Sequence, residues 1–264
     1  MRVILLGSGS SGNALYIEAG ETSALVDVGL SAKETARRLS EAGVDPTRIN
    51  AIVVTHEHSD HIKGVRVFSK TASVPVFISD ETRSQCRWSG GEAGIRWGET
   101  INSSAPFQVG KLNFQPFNIP HDGIDTFAYT VEAEGVKIGI VTDLGYITNL
   151  VAQRLLGCSL VVMESNHDKD MLKVGPYPWS LKQRIASNTG HLSNDETARW
   201  LREDFDGRAE YIVLAHLSKQ CNHPELARLS ALEALDTRGS LFYQQAERRV
   251  KIAVQDFASE WFEF

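Results

Sequence analysis

The chain has 264 residues, with 27 Lys+Arg against 33 Asp+Glu and a formal net charge of −6. Hydrophobic residues at 42% and charged residues at 23% are those of a folded globular protein and exclude wholesale disorder. The acidic balance excludes a surface that is basic all round and coats nucleic acid non-specifically, but it leaves room for a local basic groove.

No run reaches the roughly 18 apolar residues of a membrane span. The opening stretch is apolar only as far as Leu6, too short for a secretory core, so Val3–Leu6 reads as a strand. Three cysteines, Cys86, Cys158 and Cys221, lie far apart with no CxxC, which gives no disulfide framework and fits a reducing compartment. With no linker or repeat, residues 1–264 read as one cytoplasmic domain without a membrane anchor. In chain order the next expected strands are Ala24–Val28, Ala51–Val54, Val74–Ile78, Lys111–Phe117, Thr126–Ala133 and Val136–Thr142. The last two are joined by the turn pair Glu134-Gly135. Leu160–Met163, Tyr211–Ala215, Leu241–Tyr243 and Val250–Val254 complete the set. Capping boxes at Ser31…Glu34 and Ser193…Glu196 open helices, the first ending at Gly43. Thr148–Leu156 and Pro224–Leu235 read as amphipathic helices. The alternation predicts an α/β layered fold, and pattern alone leaves an αββα sandwich and a doubly wound sheet both open.

The segment Ala51–His61 runs an apolar strand straight into His56-x-His58-x-Asp60-His61. A match to H-x-H-x-D-H is expected in roughly 4 of 10,000 shuffled sequences of this composition. Residues two apart leaving a strand point to the same side, so His56 and His58 can hold one metal ion. Asp60 and His61, past the bend, can serve a second. Imidazole and carboxylate donors without thiols suit zinc, manganese or iron and do not build a closed structural zinc site.

This motif resembles that of the metallo-β-lactamase fold superfamily, whose fold is the αββα sandwich. The resemblance extends along the chain and implies further residues in the family's order. Asp27, in Leu25-Val-Asp-Val-Gly29, supports the ligand loop from behind. His121, Asp143 and His216 follow later strands. The implied ligand sets are His56, His58 and His121 on one metal, Asp60, His61 and His216 on the other, and Asp143 between them. His rather than Arg follows Asp60 and the expected cysteine is missing, so β-lactam hydrolysis is disfavoured.

Met163-Glu-Ser-Asn-His-Asp168, Gly190-His-Leu-Ser-Asn194 and Leu214-Ala-His-Leu-Ser-Lys219 are similar to the ribonuclease Z branch of this fold. By that resemblance Glu164 and His191 form a proton-donating pair, with His167 as the alternative acid. A carboxylate bonded to an imidazole raises its pKa and fixes its tautomer, which suits protonation of a leaving alkoxide. The strings Gly7–Asn13, Thr55–Gly64, Thr142–Tyr146 and Gly175–Ile185 further resemble the WalJ (YycJ) group of bacterial metallo-β-lactamase-fold proteins. That group implies a 5′→3′ DNA exonuclease using two divalent metal ions, a metal-bridging hydroxide and Asp60, Glu164 and His191 in catalysis. The expected partner is a nucleic acid, DNA ends foremost and RNA as the alternative. The rival readings are a glyoxalase II-like thioester or lactone hydrolase and a small-molecule phosphodiesterase.

Read from the residues themselves, Gly7–Asn13 offers Ser10 and Asn13 as phosphate or metal-loop support, or is a plain inter-strand loop. Lys173, Trp179, Lys182 and Arg184 interleave cations with aromatics, as a strand end needs for phosphate neutralisation and base stacking. The same pattern also suits an ordinary helix with snorkelling cations. Lys219, just beyond His216, is another candidate phosphate contact, and His167 is a further candidate substrate contact.

Overall fold

A computed structural model describes residues 1–103, 105–237 and 243–264. They form two compact units, one of Met1–Asn118, Gly123–Val136 and Val254–Phe264, the other of Ile119–Asp122 and Lys137–Ala253.

The first unit carries a seven-stranded sheet. Its strands are β1 (Arg2–Gly7), β2 (Ala14–Ala19), β3 (Thr22–Val26), β4 (Ala51–Val53), β5 (Pro75–Ile78), β6 (Arg96–Thr100) and, at the C-terminal end, β14 (Phe262–Glu263). The order is β14-β1-β2-β3-β4-β5-β6, antiparallel from β14 to β3 and parallel from β3 to β6. Helices α1 (Ala32–Glu41), α2 (Ser59–Ile62), α3 (Val65–Ala72) and α4 (Asp80–Gln85) lie between the parallel strands. Ser31 caps α1 through the Glu34 N–H, as its capping box predicts. Alternate residues of the strands supply one core face, where Leu25, Ile52, Val76 and Ile78 join Leu39 of α1 and Phe68 of α3. Phe77 points the other way and stacks on Phe107, which stacks in turn on Phe114, with ring centroids 5.5 and 5.1 Å apart. Those rings belong to an antiparallel ladder of β7 (Phe107–Val109), β8 (Leu112–Asn118) and β9 (Phe127–Ala133). Glu134 and Gly135 follow β9 with φ of 53° and 79°, both left-handed, at the turn that the sequence predicts.

The second unit is built on four parallel strands, β10 (Val136–Val141), β11 (Leu160–Glu164), β12 (Tyr211–Ala215) and β13 (Val250–Ile252). β11 is buried at all five positions, which explains its unbroken apolar sequence. Around the strands run α5 (Asn149–Leu155), α6 (Lys169–Val174), α7 (Trp179–Ile185), α8 (Asn194–Glu203), α9 (Pro224–Asp236) and α10 (Tyr243–Arg249). α8 packs on α9 and buries Trp200 and Leu201. The cap at Ser193 forms as predicted, its hydroxyl accepting the Glu196 N–H. The strand expected at Leu241–Tyr243 lies outside the described residues except for Tyr243, which begins α10. No described helix is long and apolar enough to cross a membrane.

Gly29 shows how tightly the first unit grips its loop. A Cβ there would stand 1.6 Å from the Asp60 carbonyl oxygen and 2.7 Å from the Asn13 nitrogen. Gly29→Ala is therefore expected to displace the Asp60 loop, lower stability by about 1–3 kcal/mol or more and strip bound metal. Thermal melting with metal analysis checks this, and an alanine variant with unchanged melting temperature and metal content would contradict it.

Candidate active site

In the first unit β3 and β4 run in parallel with Val26 opposite Val53, so Asp27 and Thr55 emerge side by side at the C-terminal strand ends. The Asp27 nitrogen donates to the Val53 carbonyl at 2.9 Å, and the Thr55 nitrogen donates to Asp27 Oδ1 at 2.8 Å. Asp27 Oδ2 then meets His61 Nδ1 at 2.7 Å. The Thr55 hydroxyl, which sequence reasoning passed over, donates to Asp27 Oδ2 at 2.8 Å and lies 3.0 Å from His56 Nδ1. Asp27 thus fixes the ring and tautomer of His61 from behind the motif. The rings of His56 and His61 are 4.1 Å apart and those of His56 and His58 are 4.6 Å apart, so the motif gathers three imidazoles beside Asp60. Asn13 belongs to this assembly: its side chain accepts from the Gly9 nitrogen at 2.8 Å and its Nδ2 lies 3.0 Å from His61 Nε2 and 3.3 Å from Asp60 Oδ2. Of the two roles open for it, the geometry favours loop support. Ser10 is exposed on the same loop.

In the second unit Asp143, Glu164 and His216 stand at or just beyond the ends of three adjacent parallel strands, with Val141 opposite Met163 and Glu164 opposite Ala215. Carboxyl ends of parallel strands are where such sheets collect their ligands. Glu164 is wholly buried, and four donors converge on it. Its Oε1 is 2.8 Å from His191 Nδ1 and 2.8 Å from His216 Nδ1. Its Oε2 accepts the Leu144 N–H at 2.9 Å and the Leu192 N–H at 3.1 Å. The expected Glu164–His191 pair therefore forms, and the same carboxylate also orients His216. Asp143 Oδ1 lies 3.0 Å from His216 Nδ1, and His121 Nδ1 is 3.1 Å from the Gly190 carbonyl. One ligand atom from each of Asp143, Glu164, His191 and His216 falls within 4.8 Å of the others.

Burial opposes charge on His191, but the charge and hydrogen bond of Glu164 outweigh it and hold the imidazole above its ordinary value. Burial alone dominates at His121, which is lowered. At His167 burial pushes the imidazole down to about 4. A Cβ on Gly190 would stand 2.2 Å from the Arg184 carbonyl, so the glycine before His191 is required by the approach of α7.

A cavity of about 540 Å³ opens beside His191, lined by Tyr146, His167, Lys173, Trp179 and Lys182 among others. Four of the sequence-predicted substrate residues meet there. Arg184 is instead paired with Asp122, and Lys219 is exposed and does not line the cavity. Trp179 opens the short helix α7 with its side chain 70% exposed. A network missed in the sequence steadies the ends of β11 and β12: Asn166 Nδ2 donates to the His216 carbonyl at 2.8 Å, and Asn222 Nδ2 donates to the Ser165 and Asn166 carbonyls at 2.8 and 3.0 Å.

His167 is 2% exposed, and its Nδ1 has no hydrogen-bond partner among the described residues. Between an ordinary imidazole pKa of about 6.5 and the folded value of about 4, the unfolded chain binds a proton that the native state refuses. Stability from this group is complete above pH 6.5 and falls on acidification. Going from pH 7 to pH 5, the native protein is expected to lose about 2 kcal/mol that His167→Asn does not lose. Urea unfolding at the two pH values measures it, and identical losses in both proteins would remove the assignment.

Residues 22–217 match the family model described as the beta-lactamase superfamily domain. The chain belongs to the beta-lactamase superfamily. Within it, the chain is 34% identical over 235 residues to exodeoxyribonuclease YycJ of Bacillus anthracis, covering 89% of each protein. It is 34% identical over 238 residues to exodeoxyribonuclease WalJ of Streptococcus pneumoniae serotype 2 (strain D39 / NCTC 7466), covering 88% of this chain and 87% of that one. The metallo-beta-lactamase fold protein YhfI of Bacillus subtilis superposes with a TM-score of 0.70 at 16% identity over 98% of this chain and 99% of its own. The chain has the metallo-β-lactamase fold, an α/β layered architecture, as its motifs imply. In this superfamily the imidazole and carboxylate donors of both units are of the kind that bind divalent metal ions.

Proposed function

We propose that the protein is a phosphodiesterase acting as a 5′→3′ DNA exonuclease with two divalent metal ions, zinc, manganese or iron. The observation that carries this reading is the proton-donating pair beside a basic and aromatic cavity: Glu164 holding His191 at 2.8 Å, with Lys173, Lys182 and Trp179 on the cavity wall. The two relatives named as exodeoxyribonucleases support the same substrate. Three free cysteines support a cytoplasmic location.

The donor chemistry fits such metals, because every ligand proposed is an imidazole or a carboxylate and two of the imidazoles, His61 and His216, are held by carboxylates at Nδ1. In the order that the family resemblance implies, His56, His58 and His121 would hold one metal and Asp60, His61 and His216 the other, with Asp143 contributing to both. When bound, the metals supply Lewis-acid polarisation of the phosphoryl group and a nucleophile at neutral pH. The chain's own residues do the rest. Asp60 and Asp143 bring negative charge that sets the cations in place. Glu164 keeps His191 protonated on Nδ1 and raises its basicity, so His191 delivers a proton from Nε2 to the departing 3′-oxygen. Trp179 stacks on the terminal base, while Lys173, Lys182 and His167 surround its sugar and phosphate.

The test is release of mononucleotides from 5′-labelled single-stranded DNA with Mn²⁺ or Zn²⁺ added, run beside RNA of the same sequence and a glutathione thioester. Release of the 5′ label as a mononucleotide, with no ladder of shortened labelled strands, is the expected result. Hydrolysis of the thioester with DNA left intact would replace this reading by a glyoxalase II-like one.

A further inference from the structure

The cavity beside His191 is not the most strongly cationic concavity. In that cavity each lysine has a partner: Lys169 faces Asp195 at 3.4 Å, Lys173 faces Asp170 at 3.1 Å and Lys182 donates to the Lys173 carbonyl at 2.6 Å. A second groove, of about 910 Å³, lies wholly within the first unit, where Lys33, Lys63, Arg66 and Arg87 line it together with Trp88 and the metal-motif residue His58. Among the described residues, none of these four cations takes part in an ion pair. Lys33, Lys63 and Arg87 are exposed, while Arg66 and Trp88 are half-buried. The acid on its wall is Glu57, one of whose oxygens accepts the Ile124 N–H at 3.0 Å.

Four cations without an ion-pair partner among the described residues, drawn from α1, the end of α2, α3 and the segment after α4, converge on one concave surface against the single carboxylate of Glu57. That arrangement repels itself until a polyanion fills it. Its volume is near the top of the roughly 300–1,000 Å³ of small-molecule sites, and its open side suits a chain passing through it. Serines at the wall add donors for phosphate oxygens, and the Trp88 indole adds a face for a base. We propose that this groove binds the single strand of the DNA substrate beyond the nucleotide being cleaved, with His58 at the end nearest the chemistry. The assignment rests on the nuclease reading above and adds to it a second, electrostatic binding surface.

The experiment measures KM for a dinucleotide and for a dodecamer of single-stranded DNA across a salt series, in the wild type and in Lys33→Gln/Lys63→Gln/Arg87→Gln. These side chains are exposed, so the triple variant folds. The expected result is that the dodecamer's KM advantage over the dinucleotide collapses by at least about tenfold. The slope of log KM against log salt for the dodecamer falls by about 2, at about 0.7 for each phosphate that is no longer neutralised. The charge-preserving Lys33→Arg/Lys63→Arg/Arg87→Lys variant restores both. Wild-type DNA cleavage with unchanged length and salt dependence in the triple glutamine variant overturns the groove alone. Failure of the wild type to cut DNA overturns the nuclease reading and this assignment with it.

Discussion

Asp143→Asn is expected to abolish turnover, by at least about 10³-fold in kcat/KM, while leaving the fold intact. Asp143 sits at φ 59°, a left-handed conformation that most side chains resist. Asparagine tolerates that region as well as aspartate does and has the same shape, so the backbone keeps its course at the end of β10. What disappears is one negative charge beside His216, whose Nδ1 lies 3.0 Å away. Loss of a mere supporting partner costs about 10–100-fold in metal sites, and the shared-ligand role proposed for Asp143 predicts a larger loss. His58→Ala should match this loss, since it removes one of three imidazoles packed at ring distances of 4.1 and 4.6 Å. Hydrolysis of a chromogenic bis-phosphodiester, with metal content measured on the same samples, checks both. His191→Ala provides the contrast: the rate falls and the metal content stays near the wild-type value. A His191→Ala protein without metal would remove the proton-donor role, and an Asp143→Asn protein keeping a tenth of the activity would remove the shared-ligand role.

What the sequence discloses here is what lies within a few residues along the chain. His56, His58, Asp60 and His61 are legible because a strand end and one turn bring them together, and spacing alone encodes that. The caps at Ser31 and Ser193 are equally local and form as read. Ser79 with Asp80 and Glu81 is the same kind of signal and marks α4, which a search for apolar periodicity passes over. β2 is hidden for the opposite reason: five of its six residues are buried, so it shows no alternation, and a glycine-serine loop precedes it. α7 buries no residue, so it carries no apolar stripe to find. The functional geometry depends on strand register. Asp27 reaches His61 only because Val26 pairs with Val53, and Glu164 meets His191 and His216 only because β11 and β12 end in step. Nothing in the sequence marks the left-handed backbone at Asp27, Asp143 and His216, with φ of 61°, 59° and 55°. Each such residue stores on the order of 1–3 kcal/mol, held by surrounding packing, and all three stand at strand ends that carry the site.

Glu164→Gln, usually a mild exchange, is expected to lower stability by about 2–4 kcal/mol and to cost at least about 100-fold in activity. The reason is an inventory of donors. Glu164 receives two imidazole nitrogens on Oε1 and two backbone N–H groups on Oε2, all between 2.8 and 3.1 Å, with no exposed surface to admit water. A carboxylate accepts on both oxygens, whereas an amide presents two N–H groups on one side. Whichever way glutamine turns, donors face donors in a buried site. If the amide nitrogen faces Leu144 and Leu192, the turn leading to His191 must open. If it faces the histidines, His191 loses the charge that raises its pKa and His216 loses the partner that orients its ring. Where any activity survives, its decline at high pH should begin at lower pH than in the wild type, because a less basic His191 gives up its proton sooner. Chemical denaturation, metal analysis and a pH–rate profile on one preparation separate these effects. A glutamine variant with native stability, native metal content and an unshifted alkaline limb would show that Glu164 neither anchors the two histidines nor tunes the proton donor.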